Sequence, residues 1–138
     1  MADFHTYSSW GRTRGIKNLA GSHGALLHGN GATLPTAAPS SATDGYKSEN
    51  QRFLHVIFIN TENNKNHGID AWGYNYASEV WTELYDTSGN KVEISHVNNI
   101  ATEHRIYEIC GVDRIYIQSS GNDQFHADDF IAAGLSTF

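Results

Sequence analysis

The sequence contains one cysteine, one methionine and two prolines in 138 residues. A single cysteine excludes an intrachain disulfide bond. Because Cys110 ends the apolar run Ile106-Tyr107-Glu108-Ile109, we expect it to be a buried structural thiol rather than a nucleophile. A small domain without disulfides depends on its apolar core, or on association with other subunits.

Long hydrophobic runs are also missing. No stretch approaches the roughly 18 consecutive apolar residues of a membrane span, so we predict no membrane partner. Residues 1–5 contain neither a basic region nor an apolar one, which predicts no signal peptide. We therefore expect the protein to be made in a cytoplasm and to reside there at first.

Charge is sparse and unevenly distributed. Charged residues make up 17% of the chain, and the net charge is −6. Residues 1–52 contain five basic and three acidic residues, a balance of +2, whereas residues 53–138 contain four basic and twelve acidic residues, a balance of −8. An acidic body repels phosphate groups, so we predict no nucleic-acid partner.

Motifs of common enzyme classes are absent too. The sequence has no Gly-x-Ser-x-Gly elbow and no Gly-Lys-Ser/Thr phosphate loop, although a catalytic triad assembled in space stays open. Among eight histidines, His23 and His28 lie in a glycine-rich segment without cysteine or acidic partners. The acidic cluster at residues 122–129 lacks EF-hand spacing. We predict no enzyme, no cofactor and no metal.

What the chain does contain divides it near residue 52. Residues 1–52 are rich in Gly, Ala, Ser and Thr, with both prolines in residues 35–45, and predict an extended arm and linker. Residues 53–138 contain short runs of β-branched and aromatic residues, which predict a β-sandwich domain. A second interpretation stays open, in which residues 1–20 fold back as a strand of the body.

The pattern of the body predicts an all-β fold. Phe53–Asn60 is apolar on both faces apart from His55, which is typical of a central strand. Residues 79–86 and 91–96 predict a hairpin joined by residues 87–90, with Val92 and Ile94 directed inward. Further strands are predicted at residues 104–110 and 114–119. Turns about every ten residues favour an antiparallel β-sandwich or jelly roll with an N-terminal arm.

The densest aromatic group is Trp72, Tyr74, Tyr76 and Trp81. Such rings fit three uses: packing in the core, anchoring a protein interface, or stacking on sugar rings. For the last use, Asp70 and Asn75 are the nearby candidates that would bind sugar hydroxyls.

The later part of the body resembles a family of virion proteins. The segments at residues 81–92 and 109–119, together with the final Ser136-Thr137-Phe138, are similar in style to small β-rich proteins of tailed bacteriophages, particularly capsid decoration (cement) proteins. The resemblance implies a sandwich or jelly-roll body on the capsid surface, often trimeric, with a terminal arm that grips neighbouring subunits. It also implies synthesis in the host cytoplasm.

These observations lead to one functional hypothesis. We expect a non-enzymatic virion structural protein that binds the major capsid protein or other virion proteins as a homotrimer and stabilises the head. Ordering an arm costs about 1–2 kcal/mol per residue, which contacts with a neighbour would offset. The predicted partner-binding residues are Phe4, Tyr7, Trp10, Arg12, Arg14, Lys17, Trp72, Tyr74 and Tyr76. The alternatives are a carbohydrate-binding module of a tail or fibre, and a small metal-dependent hydrolase.

Overall fold

The structure is a computed structural model, and it describes residues 17–18, 28–30, 34–60, 67–97, 101–120 and 130–136. Ten β-strands lie within these residues. They are β1 (Lys17–Asn18), β2 (His28–Asn30), β3 (Tyr46–Lys47), β4 (Phe53–Asn60), β5 (His67–Asn75), β6 (Val80–Glu83), β7 (Glu93–Val97), β8 (Ala101–Glu108), β9 (Arg114–Ser120) and β10 (Phe130–Ser136). Within the described residues there is no helix with the length and apolarity that crossing a membrane requires.

The strands form two antiparallel sheets. In the first sheet, β1 and β2 pair with different parts of β10, and the order continues through β4 to β8. In the second sheet the order is β3, β9 and β5, and both β6 and β7 pair with β5. With β1/β2 and β6/β7 each taken as one interrupted strand, the chain crosses between sheets at every connection except that from β5 to β6. This strand order is that of a jelly roll, and the predicted all-β sandwich is confirmed.

The core lies between the two sheets. Strand alternation directs every second side chain inward, so that Leu54, Val56 and Phe58 of β4 are fully buried. Burying a side chain of this kind contributes about 1.5–3 kcal/mol. The prediction that β4 is central is confirmed, because it pairs with β10 on one side and β8 on the other. The other core residues of the strands and their junctions are Ile69, Ala71, Leu84, Val92, Ile94, Tyr107, Ile109, Ile115, Ile117, Ala133 and Leu135.

The predicted hairpin is wrong beyond its tip. Strands β6 and β7 do not pair along their lengths but follow one another on the same edge of β5. Ala71 joins them, since its carbonyl accepts from Leu84 N at 3.0 Å and its N–H donates to Val92 O at 3.1 Å. Residues 85–91, the β6–β7 projection, leave the edge between these two bonds as a short hairpin. Val92 N donates to Leu84 O and Asp86 N donates to Asn90 O, both at 2.8 Å, with a Tyr85–Lys91 bridge between them. The inward orientation of Val92 is nevertheless confirmed.

The tip of the β6–β7 projection connects the two sheets. Asp86 Oδ1 accepts from Ser88 N and Asn90 N, both at 2.9 Å, and so closes the turn. Thr87 N and Oγ1 then donate to Glu108 O and Oε1, both at 2.8 Å, at the end of β8. A local turn motif thereby joins the edge of the second sheet to the first.

The described residues before Phe53 make contacts with the body. Strands β1 and β2 pair with β10, β3 pairs with β9, and Leu34 is 6% exposed within the core. Phe4, Tyr7, Trp10, Arg12 and Arg14 lie outside the described residues. The division into an arm and a domain at residue 52 therefore stays a prediction for the rest of the N-terminal segment.

The prediction of a buried thiol at Cys110 is wrong, because this side chain is exposed. Ile109 is the last inward-facing residue after β8 and is fully buried. The next position points outward, and the chain then turns at Gly111, whose φ is +75°. The apolar run continues one residue beyond the core.

Candidate functional site

A row of aromatic side chains lies on the outer face of the second sheet. Because Ala71 and Ile117 face the core, the alternate positions of β5 and β9 face outward. The ring centroids of Tyr74 and Trp81 are 5.1 Å apart, and those of Trp81 and Tyr116 are 5.9 Å apart. These separations are typical of contacting aromatic pairs, so the row is one packed unit.

Residues 35–45, called the strap below, lie across this row. From β9, Gln118 Nε2 donates to Thr36 O and the Tyr116 hydroxyl donates to Ala37 O, both at 2.8 Å. Trp72 Nε1 donates to Gln118 Oε1 at 2.8 Å, which orients the amide of Gln118 toward the strap. Burial, together with the negative charge of Asp44, raises the pKa of Tyr116. The outer face therefore holds the strap by its main chain.

The second half of the strap is held in the same way. Trp81 Nε1 donates to Ser41 O at 2.9 Å. The Arg114 guanidinium donates to the carbonyl oxygens of residues 43, 44 and 45 at 3.1, 2.8 and 3.1 Å. Since the acceptors are main-chain carbonyls, the contacts do not depend on the strap's small side chains. A segment whose composition predicted a linker is thus packed on the sheet.

A glycine and an aspartate shape the end of the strap. Asp44 Oδ2 accepts from Ser40 N and Ser41 N, both at 2.9 Å, which closes a turn. Gly45 has φ +71°, and a Cβ at this position would lie 2.3 Å from Ile115 O. Only glycine fits here without moving the backbone of β9.

An open cleft of about 570 Å³ lies between the strap and the turn that precedes β6. We call it the aromatic cleft. Its lining residues are Pro39, Ser40, Ala42, Tyr74, Glu79, Val80 and Trp81. The volume falls in the usual range of small-molecule sites, and the lining combines rings, an aliphatic side chain, a hydroxyl and a carboxylate.

The predicted partner-binding residues that the structure describes differ in exposure and lie on different sheets. Tyr74 is 5% exposed and Trp72 is partly buried, whereas Tyr76 is 51% exposed and contacts Tyr74 with ring centroids 5.8 Å apart. Lys17 lies in β1, on the first sheet. The other predicted residues, Phe4, Tyr7, Trp10, Arg12 and Arg14, are not among those described.

Two polar residues predicted for sugar binding have other contacts. Asn75 Oδ1 accepts from Ala77 N at 2.8 Å, and Asn75 Nδ2 donates to Gly111 O at 3.1 Å. Asp70 lies 3.8 Å from Lys91 Nζ. Neither lines the aromatic cleft, whose carboxylate is that of Glu79. Sequence reasoning missed Glu79 and Ser40 because the cleft forms only when the strap packs on β6.

A cluster of charges lies on outward positions of the same sheet. Lys91 Nζ is 3.2 Å from Glu83 Oε1 and 3.5 Å from Glu93 Oε2, in addition to Asp70. Burial, with the charges of Glu93 and Glu83, raises the pKa of Asp70 despite the opposing effect of Lys91. Burial alone would lower the pKa of Lys91, but the Glu83 hydrogen bond and the three carboxylate charges raise it.

No group of three or more His, Cys, Asp or Glu side chains suited to a metal ion occurs among the residues that the structure describes. No protein-family model matches the sequence. Neither the curated proteins nor the solved structures yield a match.

Proposed function

We propose that this chain is a non-enzymatic virion structural protein that binds the capsid surface and bridges neighbouring subunits. The observation that carries the proposal is an apolar row on the outer face of the first sheet. Phe53, Ile57 and Ile59 of β4 point away from the core, yet each is partly buried. Ile106 of β8, on the same face, is 58% exposed.

This row departs from the usual pattern of an antiparallel sheet. A sheet with one face in water carries polar residues on that face, whereas β4 is apolar on both. The one histidine of the strand, His55, is buried, and its ring nitrogen lies 2.8 Å from Ser136 Oγ. Ile106 is the exposed member of this row and the other three are partly exposed, and contiguous apolar surface of this kind is typical of protein contact surfaces. The jelly roll itself is common among virion proteins, which supports this choice of partner.

In this proposal the partner is the major capsid protein or another virion protein, and the chain acts as a homotrimer. Several copies in one oligomer give avidity, so modest contacts at each copy suffice to link subunits. The residues before β1 serve as the arm that reaches a neighbour.

Binding to heads tests the proposal. Purified full-length chain is sedimented with phage heads that lack it, and we expect saturable co-sedimentation. Ile106→Glu, which places a charge on the apolar row, should weaken binding by about tenfold or more. Tyr85→Glu is the matched control, because Tyr85 is a similarly exposed large side chain on the β6–β7 projection, away from the first sheet's outer face, at 52%.

The control variant should bind heads as the wild type does. Both variants should unfold in one cooperative thermal transition, which excludes misfolding as the cause. Absence of co-sedimentation, or an equal loss in both variants, would contradict the proposal.

A further inference from the structure

We propose that the aromatic cleft binds a neutral sugar, with the face of a pyranose ring against its apolar side chains and the sugar hydroxyls on Glu79 and Ser40. This inference does not rest on the capsid-binding proposal, since it concerns the other sheet. It makes the chain a carbohydrate-binding protein at a site defined by the strap and β6.

The cleft has the apolar surface that sugar stacking requires. Trp81, which is partly exposed, and Val80, which is 52% exposed, provide this surface. Tyr74, only 5% exposed, supports the Trp81 ring at a centroid distance of 5.1 Å. Tyr76, half exposed and in edge contact with Tyr74, extends the aromatic surface beyond the cleft. Aromatic rings of this kind bury the C–H face of a ligand while leaving its polar rim in water.

The walls of the cleft are fixed before any ligand arrives. Glu79 has φ +59°, a conformation that L-residues rarely adopt, and its N–H donates to Asn75 O at 2.8 Å. Asn75 Oδ1 caps the same turn. Asp113 Oδ2 accepts from Tyr76 N at 2.7 Å, and Asp113 N donates to Tyr74 O at 2.7 Å. A preformed site loses little conformational entropy on binding.

The polar groups of the cleft suit a hydroxyl-rich ligand. Trp81 Nε1, the donor that would recognise a peptide carbonyl, is already bonded to Ser41 O. The charged group of the lining is the Glu79 carboxylate, which accepts hydrogen bonds and donates none when ionised. Sugar hydroxyls supply the missing donors, and the Ser40 hydroxyl can both donate and accept. A neutral sugar also avoids repulsion from the net charge of −6.

An oligosaccharide screen followed by titration tests this inference. The full chain is applied to an array of neutral and acidic oligosaccharides, and the strongest neutral hit is titrated by calorimetry and tryptophan fluorescence. We expect saturable binding with a fluorescence change, because Trp81 lines the site. Glu79→Gln should weaken binding about tenfold through loss of one charge-assisted hydrogen bond. Val80→Glu should abolish binding by filling the cleft and adding a charge.

Matched control variants show whether a loss of sugar binding comes from the cleft or from changing any exposed side chain. Tyr76→Ala should weaken binding, whereas Tyr85→Ala, which removes an equally exposed ring on the β6–β7 projection, should not. Ile106→Glu should also bind sugar normally, although it is expected to fail in head binding. All variants are compared at equal folded fraction by circular dichroism.

Three outcomes would overturn the inference. The first is no binding to any neutral oligosaccharide at millimolar concentration. The second is binding that survives Val80→Glu, which would place the sugar elsewhere. The third is cleft-dependent binding of lysine-rich peptides in preference to sugars, which would assign the Glu79 carboxylate to a cationic protein segment.

Discussion

Two carboxylates, one on each sheet, show how burial and charge compete. Asp70 is partly buried beside Glu93 and Glu83, and Lys91 offsets part of the cost of ionising it. Glu108 is in the opposite situation. The hydrogen bond from Thr87 and the nearby Arg52 guanidinium, 2.5 Å away, lower the pKa of this carboxylate. The two residues should therefore respond to pH with opposite sign.

We expect the free energy of unfolding of Asp70→Asn to rise relative to that of the wild type as the pH rises from about 3 to about 7. A raised pKa means that protonated Asp70 stabilises the fold below the unfolded-state pKa. This contribution is lost as the pH rises through the folded-state pKa. The asparagine variant, always neutral, avoids that loss. The free energy of unfolding in urea, measured at both pH values, checks the prediction.

Glu108→Gln is the control. Its free energy of unfolding should fall relative to that of the wild type as the pH rises over the same range. The lowered pKa of Glu108 means that the ionised carboxylate stabilises the fold above the unfolded-state pKa. That contribution is lost as the pH falls through the folded-state pKa. If both variants showed the same pH trend, the opposite environments described for the two carboxylates would be refuted.

At the scale of elements, the strap is the segment whose structure differs most from what composition suggests. It has neither a strand pattern nor an apolar face, yet six of its carbonyl groups accept hydrogen bonds from side chains of the second sheet. Arg114 supplies three of these bonds from one guanidinium group. Arg114 is therefore the residue on which the second half of the strap depends.

Arg114→Met should destabilise the protein by about 1–3 kcal/mol, since it removes three hydrogen bonds from a charged donor while keeping the aliphatic stem. The amides of residues 40, 41 and 44, which close the turn at Asp44, should exchange hydrogen faster. Urea unfolding and hydrogen exchange measure the two effects.

Arg105→Met provides the comparison for this prediction. Its guanidinium group pairs with Glu103 at 3.3 Å on the surface, so we expect a change within about 0.5 kcal/mol. A loss as large as that of Arg114→Met, or unchanged exchange in the strap after Arg114→Met, would show that the strap is held by other contacts.

At the scale of the whole molecule, the contacts of the N-terminal segment decide how its proposed arm can be tested. Removing residues 1–45 would delete β1, β2, the strap and Leu34, which is buried in the core. Loss of a buried leucine alone typically costs 2–5 kcal/mol, so binding data from this truncation would be uninterpretable. Removing residues 1–16 leaves each described strand intact.

In the proposed function, the chain without residues 1–16 unfolds at the same temperature as the full chain, keeps the proposed trimeric state, and binds heads about tenfold more weakly. The reason is that the predicted arm residues Phe4, Tyr7, Trp10, Arg12 and Arg14 are lost while the sandwich is kept. Thermal unfolding, sedimentation velocity and head co-sedimentation measure the three properties. Unchanged head binding would remove the arm from the proposed function, and a monomeric full chain would remove the trimer.

Local pattern alone predicted much of this fold. The alternation of apolar residues at Val92 and Ile94 and the continuous run of β4 follow from strand geometry, in which successive side chains point to opposite faces. That rule needs no knowledge of partners, so inward orientation and the all-β class were accessible from sequence. The same rule wrongly predicted that the Cys110 side chain is buried, since a sequence pattern does not show where the opposing sheet ends.

Tertiary structure alone decided which segments meet. The hairpin was predicted between residues 79–86 and 91–96 because they are adjacent in sequence, but Ala71 offers one bonding group to each of Leu84 and Val92. Gln118 and Thr36 are 82 positions apart, and their hydrogen bond helps place the strap. Contacts of this range depend on the packing of both sheets. The rings of the aromatic cleft, Tyr74 and Trp81, were therefore visible in the sequence, whereas the wall that the strap supplies was not.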